Sequence, residues 1–247
     1  MSRLRKWSLG LFIVLALLLV LIVRMPVAML QTVLPSSVSL VQTSGTLWDG
    51  RASALGLEGI AIQQNLRWQF EPKAILGGQL AWKLNGQAAG SEANSQARLV
   101  LGVRGAALEN VDVTLPLEGI LRTIPKIASW GLGGTAQLRS TRLSKQAGDS
   151  AELTIDPLFS QLVPALSPLT TLRATLTMND GGANWTINPA GASAITVNGQ
   201  GALQWQAGGR VGSQGEINLQ PDDKVKQQLA PLLIQIPATA NGYQLKF

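Results

Sequence analysis

The chain contains no cysteine and no histidine. A disulfide framework and a thiol nucleophile are therefore excluded, and so are Cys/His zinc sites and any histidine-based triad. The missing cysteines do not oppose an oxidising compartment. They mean that packing, not cross-linking, must hold the fold. Charge is sparse at 14% of residues, tyrosine occurs once and phenylalanine four times, against seven tryptophans. The formal net charge is +6, but the first 24 residues hold four of the 20 basic residues and none of the 14 acidic ones, which leaves only +2 on the rest. No Arg/Lys cluster with interleaved aromatics follows, so nucleic acid is discounted as a partner.

One long apolar run is present. Arg3, Arg5 and Lys6 precede it, Trp7 stands at its entrance and Arg24 closes it. Trp7 to Val23 is 17 residues, about 25 Å as a helix, which is the short end of a membrane span. Basic residues stay on the cytoplasmic side and the Trp7 ring suits the headgroup layer. The pattern predicts a single transmembrane anchor with residues 1–6 inside, 7–24 spanning and the remainder exported. A cleaved signal peptide has the same charge order. Here Arg24-Met25-Pro26-Val27-Ala28-Met29-Leu30 offers no small-residue cleavage site, which favours an uncleaved anchor.

Residues 25–37 read as a connector punctuated by Pro26 and Pro35, and residues 38–247 as one β-rich domain. Apolar and polar residues alternate in Leu66–Phe70, Leu80–Leu84, Val111–Leu115, Leu172–Met178 and Leu203–Gln206. Period two means a sheet with one apolar and one wet face. Gly77-Gly78, Asn85-Gly86, Gly133-Gly134, Asp180-Gly181-Gly182 and Gly208-Gly209 are read as the tight turns between strands. Short turns join antiparallel neighbours, so the sheet is expected to be large and mostly antiparallel. A flat sandwich and a curled open sheet show the same alternation; a curved sheet is the expected form.

Two stretches carry helical spacing instead. Leu115–Trp130 has Pro116 at its start and Pro125 to kink or end it; Asp222–Ile236 has Asp222 as N-cap and Pro231 to shorten or bend it. Pro157–Leu166 is a third, proline-crowded candidate. A loose repeat links Trp68–Pro72 to Trp185–Pro189, each followed by a Gly-led strand bearing Trp82 or Trp205.

No enzyme constellation stands out. The acidic residues Asp49, Glu58, Glu71, Glu92, Glu109, Asp112, Glu118 and Asp149 are scattered, no local pattern selects a carboxylate pair, and no serine sits in a G-x-S-x-G context. No catalytic, cofactor or metal residue is assigned. The tryptophans have two readings. One is core packing; the other is an apolar groove for a phospholipid tail or a partner strand.

The sharpest motif is Ser44-Gly45-Thr46-Leu47-Trp48-Asp49-Gly50-Arg51-Ala52. Gly45 and Gly50 bracket it, Trp48 can bury against the sheet, and Asp49-Gly50 reads as the turn. The G-T-L-W-x-G run of Gly45, Thr46, Leu47, Trp48 and Gly50 closely resembles the signature of the type II secretion system protein N (GspN) family. The order of parts and the Trp68–Pro72 segment followed by Gly77-Gly78 resemble that family too. The resemblance implies an accessory component of the bacterial inner membrane, single-pass, with a cytoplasmic N-terminus and a periplasmic bulk. It implies no catalytic residues and a scaffold that meets other type II secretion components. The G-T-L-W-x-G turn would then be structural. Related runs occur in AsmA-type proteins, which keeps a periplasmic lipid-binding or lipid-transfer module open, with Asp222–Ile236 as its lid. An exported hydrolase has no motif in its support.

Overall fold

The computed structural model describes residues 17, 20, 21, 23–122, 124, 127–191, 193–206, 211–234, 236–239 and 242–246. Arg3, Arg5, Lys6, Trp7, Pro125, Gly208-Gly209 and most of the apolar run lie outside them. No helix among the described residues is long and apolar enough to cross a membrane. Leu17, Val20, Leu21 and Val23 are helical and exposed; Arg24, in the turn that follows, is exposed too.

Fifteen strands among the described residues form one antiparallel sheet. They are β1 (Val38–Val41), β2 (Ser44–Gly45), β3 (Asp49–Leu57), β4 (Ile60–Phe70), β5 (Leu80–Ala88), β6 (Asn94–Gly102), β7 (Gly105–Pro116) and β8 (Leu132–Ser144). Then follow β9 (Ser150–Ser160), β10 (Thr170–Asn179), β11 (Gly182–Pro189), β12 (Ile195–Trp205), β13 (Val211–Pro221), β14 (Ala238–Thr239) and β15 (Gly242–Lys246). From β3 to β13 each strand pairs with the next in sequence; β1 and β14 are the two edges, and β2 pairs β3 off the main path. The five alternating segments all lie in strands, apart from Gln206, which follows the end of β12. The sheet is open and single, which decides between an open sheet and a two-sheet sandwich.

Alternation gives the sheet an apolar inner face. One row runs Trp68, Leu84, Ala97 across β4, β5 and β6 and reappears as Leu176, Trp185, Gly201, Gly215 from β10 to β13. The outer face carries the charges. The sheet also curls. Gln63 Nε2 on β4 donates to the Thr114 carbonyl on β7 at 2.6 Å, with β5 and β6 between them in the sheet. Three strand steps in a flat sheet cover about 14 Å, so this end of the sheet must close upon itself.

The chain's own connections fill the inner face. A 3-10 turn (Val27–Met29) and helix α1 (Leu30–Val33) lie over the first strands, where Val27 joins Leu40, Ala52, Trp68 and Trp82 in one core. A second core gathers Trp130, Val163, Leu169, Leu172, Val197 and Leu219 beneath Leu229, Leu232, Leu233 and Ile236. Helix α2 (Leu117–Arg122) packs on β8 and reaches β4, where Ile60 leaves no room for a side chain at Gly119.

Several local expectations are corrected. Asn85-Gly86 is not a turn but lies inside β5, opposite a bulge at Asn65 (φ 53°). Gly133-Gly134 lies inside β8. Gly134 (φ 143°) sits at a bulge where a β-carbon would strike the Pro157 carbonyl. Gly77-Gly78 ends a 3-10 turn (Pro72–Gly77), and only Asp180-Gly181-Gly182 behaves as a plain hairpin among the described pairs. Among the described residues, the stretch Leu115–Trp130 yields α2 and a 3-10 turn at Ala128–Trp130, while Leu115 and Pro116 still belong to β7. Pro157 belongs to β9, and the third candidate shrinks to a 3-10 turn at Pro164–Leu166.

Asp222–Ile236 buries the expected face, yet only helix α3 (Ala230–Leu233) forms. Asp222 caps a turn through Lys224 N–H at 3.0 Å, not the helix, and Pro231 sits in the first turn of α3. Proline at that place costs no hydrogen bond, since the first N–H groups of a helix have no intrahelical acceptor.

Candidate functional site: the signature turn and the charged outer ladder

The G-T-L-W-x-G residues form one compact β-turn assembly. Gly45 on β2 pairs with Gly50 on β3, so Thr46, Leu47 and Trp48 make the reversal. Asp49-Gly50 is therefore the start of a strand and not the turn itself. Thr46 closes the loop: its N–H donates to the Asp49 carbonyl at 2.8 Å, and its Oγ1 accepts from Asp49 N–H at 3.1 Å and Trp48 N–H at 3.3 Å. Gly45 adopts φ 94°, which a side chain disfavours, and a β-carbon there would also press on the Asp49 carbonyl. Gly50 is required for a different reason. The Trp68 ring lies directly on it, leaving no space for a β-carbon.

Aromatic side chains hold this turn to the sheet. Trp48 is half-buried, 4.7 Å from Phe70 edge-on (70°) and 6.1 Å from Trp82 in a stacked arrangement (15°). Such pairs add roughly 0.5–1.5 kcal/mol beyond area burial. The indole N–H of Trp68 donates to the Thr46 carbonyl at 3.2 Å and that of Trp82 to the Leu47 carbonyl at 3.1 Å. Two buried tryptophans thus satisfy their polar atoms on the turn's own backbone. The segment after Arg24 docks here as well: Leu47 N–H donates to the Met25 carbonyl at 2.9 Å, and Pro26 bridges to Thr46. Arg24 is exposed one residue before that contact.

The six tryptophans among the described residues differ in burial. Trp68, Trp82 and Trp130 are buried core residues, whereas Trp48, Trp185 and Trp205 are half-buried. Trp185 lies over Gly201 and Gly215, repeating the Trp-on-Gly contact of Trp68 and Gly50. The repeated segments share that device inside one continuous sheet. Lys145 Nζ stands 5.7 Å above the Trp205 ring.

Scattered acids come together on the outer face. Glu71 accepts from Arg98 Nε at 2.6 Å and lies 3.5 Å from Lys83 Nζ. Arg98 also donates through Nη1 to Glu109 at 2.6 Å; Glu109 meets Arg142 at 3.4 Å, and Arg142 meets Asp149 at 3.7 Å. The ladder crosses β5 to β8 and ends at Asp149, just before β9. The Arg98 hydrogen bond, with its positive charge, holds the Glu71 carboxyl below its ordinary range against the opposing cost of burial, and the Arg98 guanidinium is raised in return. A second row pairs Asp112 with Arg139 and Glu152 with Arg173.

Strict alternation hides this ladder. Glu109 and Asp112 are three apart, as are Arg139 and Arg142, so period two puts each pair on opposite faces. The bulge at Asn110 (φ 50°) and another opposite Ala151 add one residue each and return all four to the outer face. The available signal was an asparagine inside a strand, since Asn tolerates positive φ.

Fold and site together define a class of protein: a single open antiparallel sheet, capped on its apolar side by its own connections and presenting a charged ladder outward. Residues 36–245 match the family described as Type II secretion system (T2SS), protein N. The match covers most of the chain, and the chain belongs to that family, which places it among the accessory components of type II secretion. No match was found among curated proteins or among solved structures.

Proposed function

We propose that this protein is an inner-membrane accessory scaffold of the type II secretion system. Its N-terminal apolar run anchors it with residues 1–6 in the cytoplasm, and its sheet stands in the periplasm beside other secretion components. The family match over 36–245 carries the reading. The docking of Met25 and Pro26 onto the signature turn supports it, because that contact ties the end of the apolar run firmly to the sheet. Exposed strand edges such as β1 are suited to pairing with partner strands. No reaction is assigned to the protein; its part is to position others.

A lipid-transfer role needs an open apolar trough along the sheet. At the β10–β13 end that space is occupied by Leu229, Leu232, Leu233 and Ile236, all buried, so the segment expected as a lid is an integral part of the core. The test of the scaffold role is deletion of the gene in its host with plasmid complementation. Build-up of exoproteins in the periplasm, reversed by the plasmid, is the expected result. Normal secretion in the deletion strain with altered outer-membrane permeability would count against the scaffold role and for lipid handling.

A further inference from the structure

We propose that the folded sheet domain rests directly on the membrane surface through the loops beside the signature turn, so that the membrane holds the protein at two places. This rests on the reading of the apolar run as an anchor.

The chain arrives from that run at Met25 and Pro26, which bind Leu47 and Thr46. Asp49 pairs with Gln69, Phe70 with Trp82, and Leu80 with Leu101. The signature turn, the β4–β5 connection and the β6–β7 tip therefore lie at one end of the sheet, the end at which the apolar run departs. That end carries an apolar group with no cover. Leu76 is 92% exposed, Val103 is fully exposed, and Ile75, Leu80 and Leu101 are also exposed. The two loops lie side by side: Leu80 and Leu101 are cross-strand partners, and the Gln79 side chain lies against Gly102.

Basic side chains accompany the apolar ones. Lys73 precedes Ile75 and Leu76 in the same 3-10 turn, and Arg104 follows Val103 at the hairpin tip; both are exposed. An apolar tip flanked by cations fits an acyl boundary below anionic headgroups. Glu71, the nearest acid on the β4–β5 connection, is already paired with Arg98 and Lys83, and Asp49 is the first residue of β3, after the signature turn. Trp48, half-buried at the same turn, has the amphipathic ring found at such interfaces. Later tips at this end, Lys145 to Asp149 and Asp180-Gly181, are polar, and Val211 is the exposed apolar residue among the described remainder. At the opposite end Leu57, Ile124, Leu162 and Ile234 are exposed in four separate segments and form no such group.

The absence of cysteine makes the test clean. Four full-length single-cysteine variants, Leu21→Cys, Leu76→Cys, Val103→Cys and Glu92→Cys, are labelled with an environment-sensitive fluorophore. They are reconstituted in phosphatidylcholine–phosphatidylglycerol vesicles containing nitroxide-labelled lipid. Glu92 is the distal control, about 30 Å away along β5. The expected result is at least twofold stronger quenching at 21, 76 and 103 than at 92. Quenching at 21 with 76 and 103 no different from 92 overturns the proposal and leaves the anchor standing. Absence of quenching at all four positions, 21 included, refutes the anchor and this proposal with it. Charge reversal by Lys73→Glu with Arg104→Glu should weaken quenching at 76 in the anionic vesicles; unchanged quenching there overturns the headgroup contribution.

Discussion

At the scale of single residues, the signature turn shows how little freedom its sequence has. Gly45 is demanded by its backbone, Gly50 by the Trp68 ring above it, and Thr46 by the two N–H groups its hydroxyl receives. Trp48 is the side chain that ties this turn to Phe70 and Trp82. Trp48→Ala is expected to destabilise the domain by about 2–4 kcal/mol, somewhat under the cost for a fully buried aromatic because Trp48 is half-buried. Urea unfolding of the full chain in mild detergent measures it. An unchanged midpoint, combined with lost secretion, would make Trp48 a partner contact instead of a structural one. The burial of Trp48 was legible from the motif. The place of the turn was not, because Asp49-Gly50 is a strong local turn signal and only the distant Trp68 explains why that glycine belongs in a strand.

At the scale of elements, the bulges decide which charges meet. Glu71, Arg98, Glu109 and Arg142 come from four separate segments, and the extra residue at Asn110 brings Asp112 of the second row onto the same face. The sign of the resulting pH dependence follows from the lowered Glu71 carboxyl. An unfolded glutamate titrates near 4.3. The ion pair's contribution is complete above that value and is lost as pH falls through the lower, folded-state value. Glu71→Gln is therefore expected to reduce stability at neutral pH and to flatten the acid limb of a stability-against-pH curve. A mutant curve parallel to the wild type down to pH 3 would show that this pair is not coupled to folding. Five alternating segments were readable as strand, since a half-buried sheet imposes period two, but the strands run on past them, as β4 does back to Ile60 and β12 back to Ile195. Helical stretches were less so. The apolar spacing of Asp222–Ile236 marked the correct buried residues, but that spacing records which side chains meet the sheet, and a series of turns can deliver them as well as a long helix.

Across the whole molecule, an open sheet of this width has no second sheet to cover it, so its connections must do so. Leu229 is wholly buried between the turns before α3 and the strands β12 and β13. Leu229→Ala is expected to cost about 2–5 kcal/mol and to loosen the C-terminal strands first. Hydrogen exchange should show the largest loss of protection in β12, β13 and β15. A loss spread evenly over β3 to β7 would contradict the division into two cores. The curl belongs to this scale as well. Gln63 reaches Thr114 across two strands, and α2 is wedged against Ile60 and β8 at the same end.

The sequence by itself determined the β class, the antiparallel order of neighbours and the family. All of these are written in local periodicity and in short contiguous motifs. Tertiary structure alone decided that the sheet is single and open, that Asn85-Gly86 and Gly133-Gly134 are strand interior, and that scattered acids form a ladder. These depend on bulges and on contacts between residues tens of positions apart, and such contacts leave no period in the chain.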